Sequence, residues 1–159
     1  MCGLHALDSC RIEKGFRHFG HDISSEDHVL EAGLGFAVKE NRPPSKFGGM
    51  IGADAVAAKR NEGLSKRLMQ FRLTDPDPLL YHNEAILRDG AVIGYLTSGN
   101  YGHYLGGAIG LGYVKCKSIG ETAKAQLNAH YQIDVAGKLV DAEVSLRPLY
   151  DPNALQVKL

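Results

Sequence analysis

Apolar positions recur with two different periods along the chain, and the change between them divides it into two parts. From Leu4 to Cys10 they return every three or four residues, which predicts a helix over 3–14. Gly15 is placed to end that helix, because glycine readily adopts the left-handed conformation found at helix C-termini. From Arg67 onward apolar and polar residues alternate, which is typical of half-buried strands.

The first part contains further signals after the helix. The polar stretch 22–28 has turn chemistry, and 33–38 alternates weakly, which predicts a strand that would bury Phe36 in a core. The segment 42–45 contains two prolines and continues neither element, because proline lacks a backbone donor. An alanine-rich stretch then predicts a short helix over 52–60, closed by a glycine.

The second part predicts a small antiparallel β-barrel. Asp89-Gly90 is a strong hairpin signal, because both residues tolerate positive φ. Ala136-Gly137 is a second tight turn. Strands are predicted over 67–74, 84–87, 91–97, 109–114, 125–135 and 138–145. Short strands in this number without a long helix favour a barrel, so the predicted fold class is α+β, with the boundary between the two parts near residues 62–66.

Composition narrows the classes of partner. The 159 residues are 44% hydrophobic and carry a formal net charge of +0, with no block of like charges. Neither a nucleic acid nor a membrane surface is therefore an expected partner. No apolar run is long enough to span a bilayer, and no signal-peptide pattern is present. Three cysteines without Cys-x-x-Cys spacing favour reduced thiols and a cytoplasmic location.

Local motifs for catalysis, metal or phosphate binding are weak. His18 and His21 lie three residues apart, but no accompanying ligands complete a zinc pattern, so no metal is expected. The glycine-rich block 94–106 lacks the P-loop lysine, and we expect its glycines to allow a sharp bend between strands. Its tyrosines either line a cavity mouth or cap the barrel. Asp8 and Arg11 are spaced to pair on a solvated helix face. No catalytic residue is assigned.

Three sequence blocks, in this order, carry a more specific signal. They are GLHALDSCRIEKG over 3–15, LEAGLGF over 30–36 and GYLTSGNYGHYLG over 94–106. In order and spacing they resemble the aminomethyltransferase family, the folate-dependent T-protein of the glycine cleavage system. The resemblance is nearest to the form fused to sarcosine and dimethylglycine dehydrogenases, and it extends from Gly3 to about Pro152.

The resemblance implies a fold, a domain division and a function. Residues 1–64 would be the C-terminal part of the α+β folate-binding domain, 65–153 the small antiparallel C-terminal β-barrel domain, and 154–159 a tail. The chain would belong to a one-carbon (aminomethyl) transferase module with tetrahydrofolate as cofactor. FAD would bind only on a domain absent from this chain. The family's catalytic aspartate lies upstream of the matched residues, so we do not expect the chain to catalyse transfer by itself.

The resemblance also suggests two folate-binding residues and removes a third. Arg67 matches a family arginine that reaches toward the folate carboxylates, a task for which its planar fork is suited, and Lys66 could assist. The alternative is that Arg67 is a solvated charge at a strand end. Phe36 matches an aromatic residue that walls the folate channel, and its alternative is a core position. Leu7 stands where the family has an arginine near the folate tail, so that contact is absent.

A second hypothesis belongs to a different class of protein. The chain would then be a non-catalytic barrel module that assembles with, or regulates, a partner. An incomplete first lobe would expose apolar surface, which favours association. The expected partners under the two hypotheses are folate, the missing N-terminal lobes, a partner subunit or a second copy of the chain.

Overall fold

A computed structural model describes residues 2–39 and 49–158 of the chain. The proline-containing segment 42–45 lies outside these residues. Six antiparallel strands close into one barrel with the order β1-β4-β3-β2-β5-β6. The strands are β1 (Lys66–Leu73), β2 (Ala85–Arg88), β3 (Ala91–Gly102), β4 (Gly107–Lys115), β5 (Tyr131–Val135) and β6 (Lys138–Ser145). The predicted α+β fold with a small antiparallel barrel after an initial lobe segment is confirmed.

The interior of the barrel is the main hydrophobic core. Phe71 and Tyr131 meet edge to face there with ring centroids 5.8 Å apart. Both rings are almost completely buried, as are aliphatic residues from every strand. Burial of this kind is the dominant stabilising contribution in a domain of this size.

Both predicted tight turns are present. Asp89 and Gly90 have φ of 52° and 81°, and Ala136 and Gly137 have φ of 52° and 86°. Two consecutive residues with positive φ are the backbone requirement of the hairpin turns that match the twist of paired strands. These turns join β2 to β3 and β5 to β6.

Helix α1 (Leu4–Glu13) connects the first part of the chain to the barrel. Its Ile12 packs with Leu68, Ile109 and Leu111 in a second, smaller core on the outside of the barrel. Gly15, with φ of 66°, follows the helix as predicted. Helix α2 (Ala53–Glu62) ends at Gly63, whose φ is 94°. Among the described residues no helix combines the length and apolar character needed to cross a bilayer.

One predicted strand is wrong, and another is predicted too long. Residues 33–38 form turns and a short 3-10 helix (Gly35–Ala37) instead of a strand, with Gly33 at φ of 69°. The predicted strand over 125–135 begins only at Tyr131, because helix α3 (Ala123–Leu127) covers its first three residues and a turn follows the helix. The hydroxyl of Thr122 accepts a hydrogen bond from the Ala125 amide at 3.2 Å and caps this helix.

Candidate functional site

Arg67 lies at the start of β1 beside a cavity of about 520 Å³. Its Nη2 donates to the carbonyl oxygen of Glu121 at 2.8 Å, and its Nε is buried with no hydrogen-bond partner in the described parts of the chain. The interpretation of Arg67 as a solvated strand-end charge is therefore wrong. The cavity lies between the segment around Gly33 and Gly35, the C-terminal end of α2 and the start of β1. Its lining residues include Leu30, Gly33, Gly35, Arg60, Gly63 and Arg67.

The loop that contacts Arg67 is held by a buried ion pair. Both carboxylate oxygens of Glu121 accept hydrogen bonds from Arg88, at 2.5 and 3.0 Å, and only 3% of Arg88 is exposed. The backbone amide of Lys117 donates a further bond at 2.9 Å. The hydrogen bonds from Arg88 lower the pKa of Glu121 to about 2, and the same bonds raise the pKa of Arg88. The Glu121 carbonyl that receives Arg67 is thus fixed in position.

Phe36 is 84% exposed within the short helix Gly35–Ala37. The interpretation of Phe36 as a core residue is wrong, because the strand that would have buried it does not form. Its neighbour Gly35 lines the cavity that contains Arg67. The exposed ring of Phe36 offers an apolar face close to this cavity. The guanidinium of Arg67 in the cavity lining is a group that can bind a carboxylate.

Lys66 is engaged within the chain. Its ammonium group lies 2.6 Å from a carboxylate oxygen of Asp27 and 4.2 Å from the centre of the Tyr113 ring. Burial opposes ionisation of Asp27, but hydrogen bonds from Lys66 and Ser24 outweigh that effect and lower the pKa of Asp27. Lys66 therefore has an intramolecular carboxylate partner, whereas the hydrogen bond of Arg67 among the described residues goes to a carbonyl oxygen.

Arg11 belongs to a buried network and does not lie on a solvated helix face. The predicted pair with Asp8 is present at 2.9 Å. The same guanidinium also donates to Asp22 at 2.5 Å and to the Ser98 hydroxyl at 2.7 Å. Asp22 is 1% exposed and accepts a further bond from Thr97 at 2.6 Å. Sequence reasoning missed this network, since hydrogen-bonded partners in it lie up to 87 residues apart.

The tyrosines of the block 94–106 are divided between two roles. Tyr95 and Tyr101 line cavities, whereas Tyr104 packs on Tyr150 with ring centroids 4.4 Å apart. Gly106, with φ of 68°, lies in the turn between β3 and β4. At Gly94 a side chain is excluded by a steric clash, because a Cβ there would stand 1.9 Å from the Tyr113 carbonyl oxygen.

The cysteines and histidines form no metal cluster among the described residues. All three cysteines are free thiols. Burial raises the pKa of the Cys116 thiol, which disfavours the reactive thiolate. The rings of His18 and His21 lie with centroids 4.6 Å apart, close enough for ring contact.

The model of the glycine cleavage T-protein C-terminal barrel domain matches residues 66–151. This is more than half of the chain. The chain belongs to the glycine cleavage T-protein family. The predicted resemblance is confirmed, and the N-terminal domain of the same family matches residues 1–42.

The relatives of this chain include enzymes that are much longer than the chain itself. It is 38% identical to the 4-methylaminobutanoate oxidase (formaldehyde-forming) of Paenarthrobacter nicotinovorans, over 99% of this chain and 18% of that protein. It is 33% identical to the mitochondrial sarcosine dehydrogenase of Homo sapiens, over 98% of this chain and 17% of that protein. The chain thus spans less than a fifth of the length of these relatives.

A solved structure supports the fold. The glycine cleavage system aminomethyltransferase T of Bartonella henselae superposes with a TM-score of 0.75, at 23% sequence identity. The match covers 92% of this chain and 38% of that structure. At this identity the likeness establishes a shared architecture.

Proposed function

We propose that the chain is part of a folate-dependent one-carbon (aminomethyl) transferase module of a sarcosine or dimethylglycine dehydrogenase-type enzyme. In this proposal residues 1–64 belong to the folate-binding domain, 65–153 form the barrel domain and 154–159 are a tail. The chain contributes part of a tetrahydrofolate site, and the oxidation of the methylated amine takes place on FAD bound to another domain. The observation that carries the proposal is Arg67 beside a cavity, in a chain of this family.

Arg67 is suited to bind a folate carboxylate. One of its amino groups is held by the Glu121 carbonyl, which fixes the guanidinium plane. Its Nε has no protein partner among the described residues, although it is buried. An unsatisfied buried donor is costly, and a carboxylate would satisfy it with a charge-assisted hydrogen bond. Phe36 would pack its exposed ring against an aromatic part of the ligand.

Isothermal titration calorimetry with tetrahydrofolate tests the site. We expect Arg67→Ala to weaken binding about tenfold or more, because a hydrogen bond to a charged group contributes about 1.5–3 kcal/mol. Arg72→Ala is the matched control, since Arg72 lies on the same strand and pairs with Glu143 at 3.5 Å. Phe36→Ala should also weaken binding, whereas Phe19→Ala, which removes another exposed aromatic ring, should not.

Two results would contradict the folate proposal. One is the absence of tetrahydrofolate binding at millimolar concentration by the unaltered chain. The other is equal affinity of the Arg67→Ala and unaltered chains.

The alternative function, an assembly or regulatory module, is favoured by one observation. The first turns of α1 are exposed, and they include Leu4 at 80% and Leu7 at 50%. Exposed apolar residues on one helix favour contact with another polypeptide, either further lobes of the family fold, a partner subunit or a second copy. Sedimentation velocity of the unaltered chain and of Leu4→Ser/Leu7→Ser tests this. A monomer at all concentrations would contradict self-association.

A further inference from the structure

The walls of the cavity that contains Arg67 come from four separate segments of the chain. They are the segment 30–35, the C-terminal end of α2, the start of β1 and the loop 116–121, which contributes Gly120. We call this space the Arg67 cavity. The loop approaches α2 closely, because a Cβ at Gly63 would stand 2.8 Å from the Cα of Gly120. The shape of the cavity therefore depends on the contacts that hold these four segments together.

Glu31 joins three of the segments, although it does not line the cavity. One of its carboxylate oxygens accepts hydrogen bonds from the amide and the hydroxyl of Ser65, at 3.1 and 2.7 Å, directly before β1. The ammonium group of Lys59 on α2 lies 3.2 Å from the same oxygen. The Glu31 carbonyl accepts from the Leu68 amide of β1 at 2.8 Å. The segment 30–35, α2 and β1 thus meet at one buried residue.

Glu121 holds the fourth segment, again without lining the cavity. Its carboxylate is bound by Arg88 of β2, and its carbonyl oxygen accepts the hydrogen bond from Arg67. The same loop is also attached next to β1, because the Cys116 amide donates to the Ser65 carbonyl at 2.8 Å. A buried ion pair is thereby connected to the guanidinium in the cavity through one peptide carbonyl.

The charges of these two carboxylates do not oppose an anion in the cavity. Glu31 is neutralised by Lys59. Glu121 is neutralised by Arg88. Among the described residues that line the cavity, the charged ones are two arginines and one carboxylate, namely Arg60, Arg67 and Glu62. The resulting excess of one positive charge is larger than the partial negative charge, about half a unit, at the C-terminal end of α2.

We propose that Glu31 and Glu121 are positioning residues of the Arg67 cavity. They hold its four segments, and through the Glu121 carbonyl they hold the Arg67 guanidinium, in the arrangement that binds a ligand carboxylate. Alignment matters because a guanidinium binds a carboxylate best through two parallel hydrogen bonds. Their role rests on the folate site proposed above, and it belongs to residues outside the lining of that site.

Calorimetry with tetrahydrofolate measures the effect on affinity. Glu121→Gln leaves the backbone carbonyl in place and removes the charge that Arg88 binds. We expect the dissociation constant to rise about tenfold, which is typical of coupling within one network. Glu143→Gln is the matched control, because Glu143 also pairs with an arginine but is exposed and does not line the cavity. Its dissociation constant should stay unchanged.

The same substitution in an Arg67→Ala background separates positioning from general destabilisation. If Glu121 acts through Arg67, the further change in affinity there should be less than about twofold. An equal loss with and without Arg67, or no loss in Glu121→Gln, would overturn the proposal. Ser65→Ala is a milder variant that removes one of the Glu31 hydrogen bonds and leaves the lining unchanged. Its effect should show the same dependence on Arg67.

A measurement without ligand keeps the positioning role distinct from the folate proposal. The Nε–H group of Arg67 is buried, and its NMR signal is identified by its absence in Arg67→Ala. In folded Glu121→Gln this signal should move toward the chemical shift of a free guanidinium, which a loss of global stability alone does not cause. An unchanged signal would overturn the positioning role. A displaced signal in a chain that does not bind tetrahydrofolate would support the positioning of Arg67 and contradict the folate proposal.

Discussion

The hydroxyl of Thr97 donates a hydrogen bond of 2.6 Å to the buried carboxylate of Asp22, across 75 residues of sequence. This bond joins the turn after α1 to strand β3. Asp22 also accepts from Arg11 and from the backbone amide of His18, so one carboxylate organises both the turn and the helix. The segment that contains α1 and the turn after it is therefore attached to the barrel by polar contacts as well as by the small apolar core around Ile12.

Removal of the Asp22 charge should destabilise the chain. Asp22→Asn removes the nearest counter-charge of the largely buried Arg11 guanidinium but leaves Asp8 in place. We therefore expect a loss toward the lower end of the roughly 3–5 kcal/mol that a fully broken buried pair costs. Urea unfolding measures the change. Thr97→Val should cost less, about 1–3 kcal/mol, because it removes one hydrogen bond.

The control for these variants is Thr74→Val. The Thr74 hydroxyl donates to the Asp141 carbonyl at an exposed site. We expect a change within about 0.5 kcal/mol there, as is usual for surface substitutions. A comparable loss in Thr74→Val and Asp22→Asn would show that the buried network has no special role.

The Arg88–Glu121 pair gives a second stability prediction. Glu121→Gln should lower the free energy of unfolding by roughly 3–5 kcal/mol, since Arg88 would remain buried and charged without a counter-ion. Lys138→Met is the control, because Lys138 and Asp75 form an exposed pair at 3.2 Å. Such pairs contribute about 0–1 kcal/mol. Equal effects of the two substitutions would contradict the assignment.

The same pair predicts acid sensitivity. The pKa of Glu121 falls from 4.5 to about 2 in the folded chain, so the folded state holds the ionised form more strongly. Its contribution to stability is complete above pH 4.5 and is lost as the pH falls from there through about 2. Thermal unfolding measured across this range should show a decline that is smaller in Glu121→Gln. Parallel declines in both chains would assign the acid sensitivity to other carboxylates.

Glu31 should add to this decline. Burial opposes its ionisation, but hydrogen bonds from Ser65 and Lys59 outweigh that effect and lower its pKa. The sign is the same, and stability is lost as the pH falls below the ordinary carboxylate range. Ser65→Ala removes the hydroxyl that lies 2.7 Å from Glu31 and should reduce the acid dependence. Hydrogen exchange of the Leu68 amide, which donates to the Glu31 carbonyl, provides a local measurement.

Gly94 should not tolerate a side chain. A Cβ at this position would stand 1.9 Å from the Tyr113 carbonyl oxygen, so Gly94→Ala requires β3 and β4 to move apart. We expect a loss of about 2 kcal/mol or more, as for other overpacking changes. Gly3→Ala is the control, because no atom of the described residues lies within 4 Å of its Cβ position and its φ is −77°. Both unfolding free energies can be measured in urea.

Features that depend on local signals are predictable from the sequence, whereas features that depend on distant contacts are not. The turns at Asp89-Gly90 and Ala136-Gly137 are predictable, because the required positive φ is a property of those residues themselves. Helix α3 is missed, since its buried Gln126 accepts from the Tyr131 hydroxyl and bonds Cys116 only in the folded barrel. Its capping residue, Thr122, is the one local signal that could have revealed it.

The site is less predictable than the fold for a similar reason. The resemblance suggests Arg67 as a site residue, but its contact with Glu121 spans 54 residues and has no sequence signature. Phe36 is predicted in a strand because alternation over a few residues cannot distinguish a strand from a turn. The cavity lined by His5 and His82 likewise depends on segments that are far apart in the sequence.

Closure of the barrel has a consequence for the family as a whole. Each of the six strands has a neighbour on both sides, so among the described residues no strand presents a full-length open edge for a foreign strand to extend. A module of this kind joins other polypeptides through side chains and loops, and its own pairing scheme is unaffected by what it joins. Such independence suits a unit that recurs within an oxidase, a dehydrogenase and an aminomethyltransferase of very different lengths.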